Sequence, residues 1–461
     1  MTFDDIISNV VPLCEGHPGF AALARVCLVR DLAGRVRLVV DPGAVTTPCD
    51  LEALADLLAQ RLGHYFAGPI LSTAGSREER RVAHAILEQS LEWPRTWDTP
   101  VADPITGIPV ARGKNWRAMQ RLVSKHAWLS AQPVDPHWSL TTANPAVVSF
   151  YSFKGGVGRT TLLAAVARIL AARGHRIVAV DLDLEAPGLG TFLGVETERG
   201  VLDFVIDYLI TGTPDLARCT GAARALGDEL GPKVEVIPAG RLNWAFVEKL
   251  GRLDFATGGL ESTESPVGAA LKALLEAIRT QLKPDYILID SRAGLHDLGG
   301  LSLHALAHVD VLVSRATRQN LLGLEIALQA IGRRKTPEAL RRILVAHTFA
   351  PLREERDSPT SEELDFRQEV HELFGEWVYA GDDVEARDAD DAPHFPRPIF
   401  QHAALERTST LDAIPAEILD GDDFRRLCDR LVELCEPETG DDPDPGAPTE
   451  RAALDGGDAA P

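Results

Sequence analysis

The sequence predicts an α/β protein: a mostly parallel, doubly wound sheet, preceded by a small α+β domain and followed by an acidic disordered tail. Three observations predict it. From residue 146 onward, short apolar runs alternate with helical patterns, as in parallel strands covered by helices on both faces. Glycine-rich and acidic clusters stand at the carboxyl ends of those runs, where ligands bind in such sheets. Residues 436–461 carry eight acids, one arginine and a single leucine, too little apolar surface to offset the entropy of the chain.

The first 145 residues differ in texture. Residues 26–40 read as two short strands around a turn at Ala33-Gly34. Asp50 is placed to cap a helix over 51–62, and a second helical pattern runs near 78–91. Five of the seven tryptophans fall between Trp93 and Trp138. Residues 104–134 contain no acid but hold Arg112, Lys114, Arg117, Arg121 and Lys125. Read as a helix, Lys114, Arg117, Arg121 and Lys125 share one face, and Trp116, Met119, Val123 and Ala127 share another. The favoured reading is a helix packing the N-terminal region onto the following domain. The other is a contact face for DNA or an acidic partner.

The second region, 146–435, opens on a buried strand over 147–152. A glycine-rich turn follows, then a helix over 160–172. A strand over 176–180 ends on Asp181-Leu182-Asp183. Strands follow over 234–237, before Pro238-Ala239-Gly240, and over 286–289, ending on Asp290. Further strands are expected over 309–313 and 343–345. The turn reads Lys154-Gly155-Gly156-Val157-Gly158-Arg159-Thr160-Thr161. Between a strand and a helix, such a turn is built for phosphate. Glycines let the backbone approach the oxygens, and the helix N-terminus adds N–H donors and its dipole. Thr160 is placed to offer a hydroxyl to Mg²⁺, and Thr161 to reach the next phosphate. Against the pattern G-x-x-x-x-G-K-[ST], Phe153 stands at the first glycine and Arg159 at the lysine.

That loop, with its early Lys154, resembles the deviant phosphate loop of the ParA/MinD group of P-loop NTPases, within the SIMIBI class. More narrowly, it is similar to the bacterial subfamily that reads K-G-G-V-G-R. The resemblance covers residues 146–435 and implies an ATPase acting as a nucleotide-sandwich homodimer, with ATP and Mg²⁺ as cofactors. It gives Lys154 the role of reaching the partner's ATP. Residues Gly155 to Thr161 bind the nucleotide, Arg159 neutralising the β and γ phosphates. Asp183 lies near Mg²⁺ and the attacking water, with Asp181 in support. Asp290 completes the metal site with Thr160 and Asp183. Ser291-Arg292-Ala293-Gly294 resembles the group's switch, in which Gly294 gives its N–H to the γ-phosphate; Arg292 is a sensor or an exposed switch residue. The base is expected near 347–352 and 395–398. Arg159 in place of lysine implies slow turnover.

Several classes are excluded or set aside. A formal net charge of −21, of which the tail holds −7, argues against nucleic-acid binding through average charge. Six cysteines without a C-x-x-C pair fit neither a zinc site nor a disulfide framework, so reduced thiols in the cytoplasm are expected. No basic-then-apolar leader opens the chain and no run approaches ~20 apolar residues, so neither a signal peptide nor a membrane span is expected. His304 and His308 are four apart on an expected helix, where packing is favoured over metal. Residues 423–434 form an expected amphipathic helix of mixed charge, which argues against membrane attachment. The expectation is an ATP-driven switch that regulates a protein partner as a dimer. The alternatives are a non-hydrolysing ATP-dependent scaffold in a bacterial signalling or defence-like system, and a DNA-positioning, partition-like ATPase.

Overall fold

The computed structural model describes residues 3, 5–43, 49–93, 115–121, 125–129, 135–256, 265–354, 358–379, 384–406 and 409–437. By compactness the chain divides between His126 and Ala127.

The first unit is one mixed sheet with helices on both faces. Strands β1 (Arg25–Arg30) and β2 (Val36–Asp41) are the expected antiparallel pair. Asp31 closes their turn by accepting from the Ala33 and Arg35 amides at 2.9 Å. Strands β3 (Leu71–Ser72), β4 (Leu91–Glu92) and β5 (Trp116–Gln120) complete the order β3-β2-β1-β5-β4. Helix α1 (Asp5–Glu15) and helix α2 (Leu51–Leu62) cover one face, where Ile6, Val10, Leu28, Leu38, Leu54 and Leu58 are buried. Asp50 caps α2 by accepting from the Ala53 amide at 3.0 Å. Helix α3 (Arg77–Gln89) covers the other face with Ala83 and Leu87. A Ser76–Glu79 capping box starts it.

Among the described residues of the basic segment, 115–121, the expected helix is not formed. Trp116–Gln120 is a strand, parallel to β1 in the register Val26↔Trp116 and antiparallel to β4. Its burial alternates: Trp116 and Ala118 face the core, while Arg117 lies between them on the other side, its guanidinium donating to the Ser90 carbonyl at 2.6 Å. Pairing on both sides outweighs the local helical spacing, because each strand residue satisfies backbone groups that a helix would satisfy alone. Among the described residues, Arg117 and Arg121 therefore share no helix face. Arg112, Lys114 and Val123 lie outside the described residues.

The second unit holds an eight-stranded sheet. Its strands are β6 (Ala146–Tyr151), β7 (Ile177–Asp181), β8 (Gly221–Ala222), β9 (Val234–Ile237), β10 (Tyr286–Asp290), β11 (Val309–Ser314), β12 (Ile343–Ala350) and β13 (Arg397–Phe400). The order is β13-β12-β11-β6-β10-β7-β9-β8, and every pairing is parallel except β8 with β9. β6, β7, β10 and β11 are buried along their full length, which explains their continuous apolar runs. β6 lies at mid-sheet, with its successors running to opposite sides. That reversal opens a crevice beyond its carboxyl end.

Helix α4 (Arg159–Ala172) leaves that crevice and is buried on nearly all sides. On one face it meets the sheet. On another it meets α5 (Asp422–Leu434), whose Phe424, Leu427, Cys428, Leu431 and Leu434 form the buried stripe expected of that segment. Arg168, the charge interrupting the apolar run of α4, pairs with Asp420 at 3.0 Å.

His304 and His308 do not share a helix. The helical turn ends at Leu306, and His308 directly precedes β11. The buried His308 ring accepts from the Val147 amide at 3.0 Å and contacts the Trp138 carbonyl at 2.8 Å. Burial lowers its pKa to about 4, so the ring is neutral and structural. All six cysteines are free thiols, five of them buried. No helix among the described residues is long and apolar enough to cross a membrane. The tail beyond Pro437 lies outside the described residues.

Candidate functional site

The phosphate loop spans the end of β6 and the start of α4. Gly156 and Gly158 have φ of +71° and +82°, conformations that favour glycine. A Cβ on Gly155 or Gly156 would meet nothing within 4 Å, so the loop backbone faces open space. Val157 is buried and anchors the loop to the core. Phe153, at the position of the usual first glycine, depends on a distant glycine. A Cβ on Gly323 would stand 2.0 Å from the Phe153 ring. Gly323 belongs to helix α6 (Arg318–Arg334), as does Gln319. The exposed Lys154 ammonium donates to Gln319 Oε1 at 2.7 Å.

Arg159 joins the loop to both expected carboxylates. Its Nε donates to Asp290 Oδ1 at 2.5 Å and its Nη2 to Asp183 Oδ2 at 2.9 Å. Thr160 Oγ1 donates to the second Asp290 oxygen at 2.6 Å. β6, β7 and β10 are neighbours in the sheet, so their carboxyl ends deliver these groups to one point. The guanidinium is buried, which opposes its charge, but Asp290 and then Asp183 more than offset this and hold it protonated. Asp181 lies deeper. Burial and then the Asp290 charge push its carboxyl up to about 8, while the Asp183 and Leu189 amides pull the other way. Asp181 also accepts from the Gly188 amide, so its part is to shape the loop after β7.

A hydroxyl and two carboxylates form a hard, oxygen-only donor set, which suits Mg²⁺ and not a softer metal. Among the described residues no group of three or more His, Cys, Asp or Glu is arranged to hold a metal.

The segment after Asp290 is the one for which the sequence expects a switch. Gly294 has φ +74°, and its N–H donates to the Ser152 carbonyl at 3.2 Å. Arg292 forms an ion pair with Glu185, in the loop after β7, and His296 Nε2 lies 3.4 Å from the same carboxylate. The sequence held no signal for these links, because Glu185 and Arg292 are 107 positions apart.

Beside the start of α4 lies a narrow cleft lined by Gly158, Thr161, Thr348, Phe349, Gln401 and His402. Thr348 and Phe349 fall within the expected base region; Gln401 and His402 lie just beyond it. Phe349 has φ +56°, at a register shift between β12 and β13. That conformation costs roughly 1–2 kcal/mol for a residue with a Cβ. The Arg315 guanidinium lies 4.0 Å from the Phe349 ring centroid and braces it.

Residues 148–349 match the CobQ/CobB/MinD/ParA nucleotide binding domain family. The carbon monoxide dehydrogenase accessory protein CooC of Rhodospirillum rubrum is 34% identical over 166 residues, covering 35% of this chain and 59% of that protein. The chloroplastic septum site-determining protein minD homolog of Arabidopsis thaliana is 29% identical over 177 residues, 38% of this chain and 47% of its own length. The chain thus spans about half the length of the curated relatives it matches. Apo McdA from Cyanothece aligns over 63% of this chain and 98% of its own, with 15% identity and a TM-score of 0.44. With its phosphate loop at mid-sheet and the aspartates at the ends of β7 and β10, the second unit carries, over residues 148–349, a region that matches the CobQ/CobB/MinD/ParA nucleotide binding domain family.

Proposed function

We propose that the chain is a slowly hydrolysing ATP switch of the K-G-G-V-G-R kind, acting in the cytoplasm as an ATP-dependent homodimer that regulates a protein partner. The observation that supports this best is the placement of Arg159 between Asp183 and Asp290, at the root of an open phosphate loop. Without nucleotide, the arginine neutralises the two carboxylates. With nucleotide, it exchanges them for β- and γ-phosphate oxygens, which suit its planar fork. Mg²⁺, held by Thr160 with Asp290 and Asp183, would supply charge stabilisation for the phosphates. Asp183 orients the attacking water and takes up its proton as the new P–O bond forms and the β–γ bridge breaks. The base occupies the cleft beside Phe349. Lys154, exposed on the loop, is available to a second copy.

Slow turnover follows from competition. Each ion pair that Arg159 makes with Asp183 opposes both the transfer of arginine to phosphate and the release of Asp183 to water. Calorimetric titration and phosphate release test the reading. Micromolar ATP binding that requires Mg²⁺, with turnover well below one per second, is the expected outcome. Binding with no phosphate release over a day would replace the switch by a scaffold. Absence of ATP binding would end the proposal.

A further inference from the structure

The switch segment is held by two aromatic side chains that neither the phosphate loop nor the carboxylates require. The Tyr151 hydroxyl donates to the Gly294 carbonyl at 3.2 Å. The Trp128 indole N–H donates to the His296 carbonyl at 2.7 Å. Both side chains are buried, and their rings lie 5.6 Å apart between centroids. Trp128 belongs to the short helix His126–Leu129. A Cβ on Gly300 would stand 2.7 Å from the Ala127 methyl and 3.1 Å from the Trp128 ring nitrogen. The helix is thus seated where only glycine leaves room.

We infer that Trp128 and Tyr151 are positioning residues that hold the switch segment in a parked arrangement, with the Gly294 N–H taken by the Ser152 carbonyl. This rests on the proposed function, in which Gly294 gives that N–H to the γ-phosphate of ATP. One donor cannot serve both acceptors fully, so parking opposes ATP and is indifferent to ADP. A ligand shifts an equilibrium only by its differential affinity for the two states. Weakening the parked state must therefore raise the preference for ATP over ADP. A neutral hydrogen bond corresponds to about a five-fold change in such a ratio. Trp128 lies two positions past the point where the chain leaves the N-terminal unit.

The test uses the full chain with Trp128→Phe and Tyr151→Phe, each of which keeps an aromatic ring and loses the donor. Calorimetric titration with Mg²⁺ measures affinity for ADP and for a non-hydrolysable ATP analogue. Hydrogen exchange follows residues 291–296 without nucleotide. Trp138→Phe is the control, because that indole donates to the Pro145 carbonyl instead. Each test variant should raise the preference for the analogue about five-fold, leave ADP affinity within about two-fold and speed exchange in the segment. The control should do neither. An unchanged preference, or an equal loss of both affinities, overturns the inference and leaves the two residues as packing. A wild-type chain that binds neither nucleotide defeats the proposed function and this inference together. That outcome is distinct from an unchanged ratio in a chain that binds both.

Discussion

Arg159 sits with its guanidinium between Asp183 and Asp290, so the cation expected on phosphate rests on carboxylate. A lysine at this position would behave differently. Its ammonium lacks the planar fork that spans two carboxylates at once, and it would release one of them to water and metal. Arg159→Lys should therefore raise kcat about ten-fold, equivalent to ~1.4 kcal/mol of barrier, as read by steady-state phosphate release. A kcat that stays flat or falls would show that arginine is not the brake. Arg159→Ala should instead destabilise the fold by about 3–5 kcal/mol in urea unfolding, because it leaves buried carboxylates without their cation. The phosphate-loop turn and the aspartates of β7 and β10 were legible as strand-end features because each adjoins its own apolar strand. The residues that complete the site were not. Phe153 needs Gly323, and Lys154 meets Gln319, across 165 positions or more. Such pairs exist only once the sheet has brought distant helices together.

The same division separates elements the sequence specifies from those the fold specifies. β6, β7 and β10 are apolar runs ending in polar residues, and α2 starts on its own cap; each carries its signal within a dozen residues. Trp116–Gln120 carries a helical spacing and is nevertheless a strand, because β1 and β4 offer it hydrogen bonds on both sides. Its alternation became visible only with its partners in place. α6 and β11 show a further link that neither displays alone. Lys335, immediately after α6, donates to Asp310 Oδ2 at 2.5 Å, with both side chains buried. Lys335→Met should destabilise the second unit by about 3–5 kcal/mol, while Asp310→Leu combined with Lys335→Met should recover most of that loss. Urea midpoints of the single and double variants check it. Burial raises the Asp310 carboxyl to about 6, and Lys335 opposes that rise. The unfolded chain therefore releases this proton first, and the contribution of Asp310 to stability falls as pH rises from about 4 to about 6. Asp310→Asn should remove that part of the pH slope.

At the scale of the whole molecule, charge and loop geometry act in opposite directions on assembly. Each chain carries a formal net charge of −21, so two copies repel one another at long range. Lys154 is exposed on the phosphate loop and hydrogen-bonded to Gln319. In the proposed dimer, ATP supplies negative charge to which Lys154 of the other copy can bind. Lys154→Ala should then bind ATP with an affinity within about three-fold of wild type and yet sediment as a monomer where wild type with a non-hydrolysable analogue sediments as a dimer. Salt gives an independent sign. Screening shortens the reach of the repulsion, to about 8 Å at 0.15 M, so association should strengthen between 0.02 and about 0.2 M salt. Contact with DNA would respond oppositely, since counterion release makes such binding weaker as salt rises. Sedimentation velocity across that salt range, with analogue and with or without duplex DNA, separates the two. An ATP-dependent dimer that persists in Lys154→Ala would mean that the loop lysine serves only its own chain.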